Sequence, residues 1–107
     1  MAREQLQTLT EPMYFILLAI AHSPAHGYEI MKAVSDISGG RVTVGAGTMY
    51  ALLTRFEKET IVRCKGYDGR RKTYELTAHG REMLEREYLR LVDSITAYEN
   101  YVKGGSV

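Results

Sequence analysis

The 107-residue chain has no tryptophan, two prolines and one cysteine, Cys64. A lone cysteine excludes an internal disulfide and suits a reducing compartment. No long hydrophobic run is present either. The most apolar stretch, residues 13–21, is too short to span a bilayer and follows acidic Glu11 instead of a basic leader. No membrane association is expected, and the cytoplasm is the expected location. Catalytic signatures are missing as well: there is no glycine-rich phosphate loop, no His-Glu-x-x-His helix and no nucleophile–base pair. Gly45-Ala46-Gly47 opens a helix but lacks the further glycine spacing and the preceding long strand of a dinucleotide site. His22 and His26 have helical ligand spacing, yet Pro24 lies between them, and His79 and Cys64 fall on other elements. No enzyme activity, metal site or cofactor is expected.

Charge of one sign is not in excess overall, since the net is only +1. Its distribution is uneven. Residues 41–72 carry eight Lys/Arg against Glu57, Glu59 and Asp68, a net of +5, while residues 1–40 and 73–107 each net −2. Attraction to a polyanion needs such a patch and does not need a basic whole. Within it, Val62, Cys64 and Gly66 alternate with Arg63, Lys65 and Tyr67, and Tyr74 and Leu76 alternate with Thr73, Glu75 and Thr77 on the return. Period two around Asp68-Gly69 predicts a β-hairpin whose returning side carries Arg70, Arg71 and Lys72.

Helical signals flank the hairpin. Thr10, with Pro12 in the first turn, predicts a first helix to about His22, stopped by Ser23-Pro24. Its apolarity all round predicts burial on more sides than one domain face requires. A second helix is predicted from His26 to about Ser38, ended by Gly39-Gly40, with Tyr28, Ile30, Met31 and Val34 inward. His26 reads as a helix-start residue and Tyr28 as a core residue with its hydroxyl at the surface. After a short β-type connector at residues 41–44, a third helix over about residues 47–59 turns Met49, Leu52, Leu53 and Phe56 inward. Its other side carries Gly47, Ala51, Thr54, Arg55 and Lys58, with Thr48 and Tyr50 on the flanks. A face that is small and hydroxylated at one end and cationic at the other suits entry into a DNA groove.

Thr77 predicts the start of a last helix reaching about Lys103, before Gly104-Gly105. Leu84, Tyr88, Leu91, Ile95, Tyr98 and Val102 are spaced alternately four and three apart, which is an a/d seam. A helix of about 27 residues would be roughly 40 Å long, leaving part of that seam without a partner in one small domain. A second copy is the economical partner, with the apolar first helix, Leu17 included, helping to cover it. Each large seam side chain so buried contributes about 1.5–3 kcal/mol. A homodimer is expected. The fold class is mainly α with a small β-hairpin (α+β). A winged helix-turn-helix over residues 8–77 forms one compact unit with a dimerisation helix over residues 78–104, and residues 1–7 form a loose polar arm.

At these residues the chain resembles the PadR family of winged-helix transcriptional regulators. The matching pieces are His26-Gly27-Tyr28-Glu29-Ile30, then Gly47-Thr48-Met49-Tyr50 with Leu53 and Arg55-Phe56-Glu57, then Gly69-Arg70-Arg71-Lys72-Thr73-Tyr74-Glu75-Leu76-Thr77, with Gly80 beyond. The single last helix is similar to the family's small subgroup. The resemblance implies a homodimeric repressor with its first and last helices at the interface. It also implies a double-stranded operator of inverted-repeat half-sites, and relief by a small-molecule effector in many members. Two departures stand out. Thr60 occupies a position between helix and strand where the family usually has glycine, implying a slightly strained helix exit. In drug-binding relatives a tryptophan on the last helix stacks flat aromatic compounds; the corresponding position here is on or near Leu91, and that arrangement does not carry over.

The residues expected to meet DNA are Thr48, Tyr50, Ala51, Thr54, Arg55 and Lys58 on the third helix and Lys65, Arg70, Arg71 and Lys72 on the wing. The cations would take phosphates or the minor groove, and the small residues base edges or a thymine methyl. Leu17 and the seam from Leu84 to Val102 are the expected dimer contacts. Met13, Tyr14, Tyr88 and Leu91 are candidate walls of an effector pocket at the dimer centre. Cys64 reads as a small packing residue, with a redox-sensing thiolate the alternative. The alternative function is a winged-helix interaction module whose basic hairpin engages an acidic protein and which has no operator.

Overall fold

A computed structural model describes residues 6–103. Its elements follow in the order α1 (Glu11–His22), β1 (Ala25–His26), α2 (Gly27–Ile37), α3 (Ala46–Lys58), β2 (Val62–Asp68), β3 (Arg71–Leu76) and α4 (Ala78–Tyr101). The α+β architecture expected from the sequence is the one found. Most of the expected loose arm and the Gly104-Gly105 helix stop lie outside the described residues. Leu6, inside them, is not loose: its backbone N–H donates to Glu59 Oε1 at 2.8 Å, and its side chain packs on the core.

Local chemistry sets where the helices begin. Thr10 Oγ1 accepts the Met13 N–H at 3.4 Å, which together with Pro12 starts α1. His26 caps α2 through a reciprocal pair: its Nδ1 accepts the Glu29 N–H at 3.4 Å, while Glu29 Oε1 accepts the His26 N–H at 3.2 Å. Gly39 and Gly40, with φ of 66° and 79°, turn the chain out of α2 in a left-handed conformation that other residues disfavour. Thr77 Oγ1 accepts the Gly80 N–H at 3.0 Å and starts α4.

The core is built from Ile16, Leu17 and Ile20 of α1, Ile30 and Val34 of α2, and Met49, Leu53 and Phe56 of α3, closed below by Ile61, Val62, Tyr74 and Leu76. Two expectations are corrected by it. Leu17 is fully buried within the chain, so it backs α1 from inside and offers no contact to a second copy. The partly open side of α1 carries Tyr14, Leu18 and Ala21 instead. Tyr28 is 65% exposed, not in the core. It lies in the first turn of α2, where side chains lean back past the helix start, and there the Arg71 guanidinium covers its ring at 5.4 Å.

The sheet is antiparallel, in the order β1-β3-β2, with Ala25 opposite Tyr74 and His26 opposite Thr73. β1 had no sequence signal, because two residues show no periodicity. The hairpin pairs Val62 with Leu76 and Asp68 with Arg71, with a bulge between Cys64 and Gly66. Val42 and Val44 are buried between exposed Arg41 and Thr43, as a β-type connector would be, but they fall in no strand. No helix among the described residues is long and apolar enough to cross a membrane.

Candidate nucleic-acid interface

The inward residues of α3 fix which side it shows. With Met49, Leu53 and Phe56 fully buried, Thr48, Ala51, Thr54 and Lys58 stand exposed along the opposite side. The helix opens on Gly45, whose cap carries no side-chain hydrogen bond, so the backbone of the first turn is approachable. Tyr50 is also exposed, at 44%, but its ring lies over Gly27. A Cβ on that glycine would sit 2.6 Å from Tyr50 Cζ, so only glycine lets α2 and the phenol come this close. Arg55 differs from its neighbours: its Nε donates to Glu59 Oε2 at 2.7 Å, and it is only part-exposed. Held along the helix end, it points less freely outward than the sequence suggested.

The wing sorts its cations in the same way. Gly69, at φ 64°, makes the tip, and Lys65, Tyr67, Arg70 and Arg71 are exposed around it. Arg70 projects from the turn itself. Arg71 leans onto Tyr28, with one guanidinium nitrogen 3.4 Å from His26 Nε2. Arg63 pairs across the strands with Glu75, its Nε donating at 2.6 Å. Lys72 turns toward α3, where its Nζ donates to both oxygens of Glu57 at 2.9 and 3.2 Å. The hydrogen bond to the Glu57 carboxylate holds the Lys72 ammonium above its ordinary pKa, so Lys72 keeps its charge at physiological pH. Glu57, Tyr28 and His26 were not singled out as site residues from sequence. Their involvement comes from contacts over 15, 43 and 45 positions, which no local pattern encodes.

Of the four candidate pocket residues, Tyr14 lines two grooves, one with Tyr88 and the other with Leu91, and Met13 lines neither. Tyr14 and Tyr88 share a groove of about 330 Å³ between α1 and α4 with Leu18, Leu76 and Leu84. Leu91 lines another, of about 260 Å³, with Leu9, Phe15, Arg41 and the Glu87–Arg90 pair. Met13 is buried in the core. Cys64 is half-buried, its Sγ 3.3 Å from the Gly66 carbonyl at the bulge. Among the described residues no group of three His, Cys, Asp or Glu side chains is arranged to hold a metal ion.

A helical core whose third helix is open along one side, followed by an antiparallel hairpin with a cationic tip, is a winged helix-turn-helix. The model of the transcriptional regulator PadR-like family matches residues 16–86, and the chain belongs to that family. It is 43% identical over 72 residues to an uncharacterized 37.1 kDa transposon protein of Streptomyces fradiae, covering 67% of this chain and 20% of that protein. It is 28% identical over 80 residues to the transcriptional regulator YqjI of Escherichia coli, covering 73% and 39% respectively. The chain thus spans well under half the length of these curated relatives. Its fold matches the crystal structure of a PadR-like transcriptional regulator of Bacillus cereus with a TM-score of 0.68 at 27% identity, covering 85% of this chain and 90% of that one.

Proposed function

We propose that this protein is a homodimeric DNA-binding regulator, a repressor relieved by a small-molecule effector. The observation that carries the DNA reading is the exposed strip of Thr48, Ala51, Thr54 and Lys58 on α3 beside an exposed Lys65 and Arg70 at the wing tip. α3 enters the major groove, its small residues reaching base edges, and the wing follows the phosphates. Arg71 and Tyr50 flank that contact. Arg55 and Lys72, tied to glutamates, contribute less than the sequence alone suggests.

Dimerisation is supported by what α4 leaves uncovered. Its inner side packs Gly80, Met83 and Glu87 on the domain, while Tyr88, Ile95, Tyr98 and Val102 are all more than half exposed. A stripe of that size on one helix calls for a partner, and the Tyr14–Tyr88 groove adjoins it. A second copy would close that groove into an effector site. An effector preferring one dimer arrangement would alter the separation of the recognition helices and so weaken operator binding.

Footprinting on the DNA upstream of the protein's own gene tests this. Two protected half-sites in inverted repeat, centred about one helical turn or a multiple apart, are expected. Protection of no duplex at low salt would leave the alternative, a module binding an acidic protein through the same cations.

A further inference from the structure

Building on the DNA-binding reading, we propose that Glu57 and Lys72 form a strut that sets the wing against the recognition helix, making Lys72 a positioning residue and not a phosphate contact. The apolar anchors of the sheet stop at its base: Val62, Tyr74 and Leu76 are buried, whereas β2 beyond Gly66 and Arg71 at the start of β3 are exposed. Contacts reach back from that outer half to two helices. At the start of α2, Arg71 covers Tyr28 and lies 3.4 Å from His26 Nε2, and Asp68 Oδ2 lies 4.0 Å from the same nitrogen. Toward α3 the contact is Lys72, whose ammonium lies 6.0 Å from the Tyr74 ring centroid and is held by both Glu57 oxygens.

The Lys72–Glu57 pair is half-buried on both sides, at 39% and 34% exposure, so solvent screens it less than a free surface pair. To reach a phosphate, Lys72 would have to give up two charge-assisted hydrogen bonds and leave Glu57 uncompensated next to DNA. Keeping the pair costs nothing of that kind. It also accounts for an acidic residue in the middle of the cationic patch: Glu57 fixes where Arg70 and Lys65 are held relative to α3. A wing free to swing would spread those cations over many positions and lose the benefit of a preorganised surface.

The strut makes a prediction opposite in sign to simple electrostatics. Glu57→Gln removes a negative charge from a DNA-facing patch, so charge alone would tighten binding. The strut requires it to weaken binding to a labelled duplex from upstream of the gene by about fivefold to tenfold, and Lys72→Met to weaken it similarly. The double variant should lose no more than either single one. The salt dependence separates contact from positioning. Loss of a phosphate contact lowers the slope of log affinity against log salt by about 0.9, whereas Lys72→Met should leave it unchanged. Exchanging the two charges, Glu57→Lys with Lys72→Glu, should restore most of the affinity. Tighter binding by Glu57→Gln, or a slope reduced by about one in Lys72→Met, would overturn the proposal.

A readout without DNA keeps the strut separate from the DNA reading. Amide hydrogens of β2 and β3 in the free protein should exchange faster in Glu57→Gln than in wild type, with exchange in α1 unchanged. Unaltered hairpin exchange would refute the strut whatever the protein binds. A wild-type protein that retards no duplex would refute the DNA reading alone.

Discussion

Thr60 holds a φ of 58°, a conformation that costs a β-branched residue about 1–2 kcal/mol relative to glycine. The following N–H groups explain why the chain accepts it: Ile61 N–H reaches the Phe56 carbonyl at 2.8 Å and closes the end of α3. Thr60→Gly is therefore expected to raise stability by about 1 kcal/mol, after allowing for the extra freedom of glycine in the unfolded chain, seen as a higher urea midpoint with an unchanged slope. Gly80 is the opposite case. A Cβ there would lie 2.1 Å from the Ile61 carbonyl oxygen, a backbone atom that cannot rotate aside. Gly80→Ala should cost about 3 kcal/mol or more by forcing α4 off the sheet, and a change of under 1 kcal/mol would show that the packing is looser than described. The strained exit at Thr60 was legible from sequence, since the resemblance placed a glycine there. The demand at Gly80 depends on a carbonyl nineteen positions earlier in the chain, which no spacing rule reveals.

Among elements, the seating of α4 against the start of α1 rests on Glu87, which is buried at 6% exposure. Hydrogen bonds from Arg90, then the Arg90 charge and the Leu9 N–H, hold its carboxyl below the ordinary value of 4.5 despite the opposing effect of burial. A depressed folded pKa stabilises above the unfolded value, and that contribution is lost as pH falls through the folded one. Thermal unfolding should therefore show wild type more stable than Glu87→Gln at neutral pH, with the gap narrowing as pH falls from about 5 to about 3. A constant gap would mean that Glu87 acts by packing alone.

The proposed division of DNA contacts between the wing and α3 can be measured in a second way. Arg70→Ala should weaken binding to all duplexes alike and lower the salt slope by about one, whereas Thr54→Ala should change preference among sequences without touching the slope. The boundaries of α1, α3 and α4 were readable to within two residues or so, because cap residues and apolar period agree there. β1 was not, since its two residues are strand only by pairing with β3. Tyr28 was misplaced inward because a 3.6-residue period ignores the backward lean of side chains in a first turn.

For the whole molecule, the decisive question is what covers the outer stripe of α4. Ile95 and Tyr98 are 59% and 57% exposed, so a charge at either is harmless to a single chain. Ile95→Glu should leave the fold intact by circular dichroism yet shift the mass seen by light scattering from dimer to monomer. It should also cost about 100-fold in operator affinity, because half-sites bound separately lose the advantage of linkage. A variant that remains dimeric would move the interface elsewhere. The extents of 57 × 37 × 23 Å match this picture of a small domain with one long helix at its side.

Sequence alone determined the succession of helices, the hairpin, the cationic patch and the apolar seam of the last helix, because each is written in local spacing, capping or charge. Tertiary structure alone decided which cations stay available. Arg70 and Lys65 stand clear, while Arg55 and Lys72 are taken by glutamates and Arg71 leans on a tyrosine, although all five read alike as basic residues in one patch. The physical reason is that a charge's role depends on what lies within about 4 Å of it, and in this chain Lys72 and Arg71 meet partners brought in from other elements.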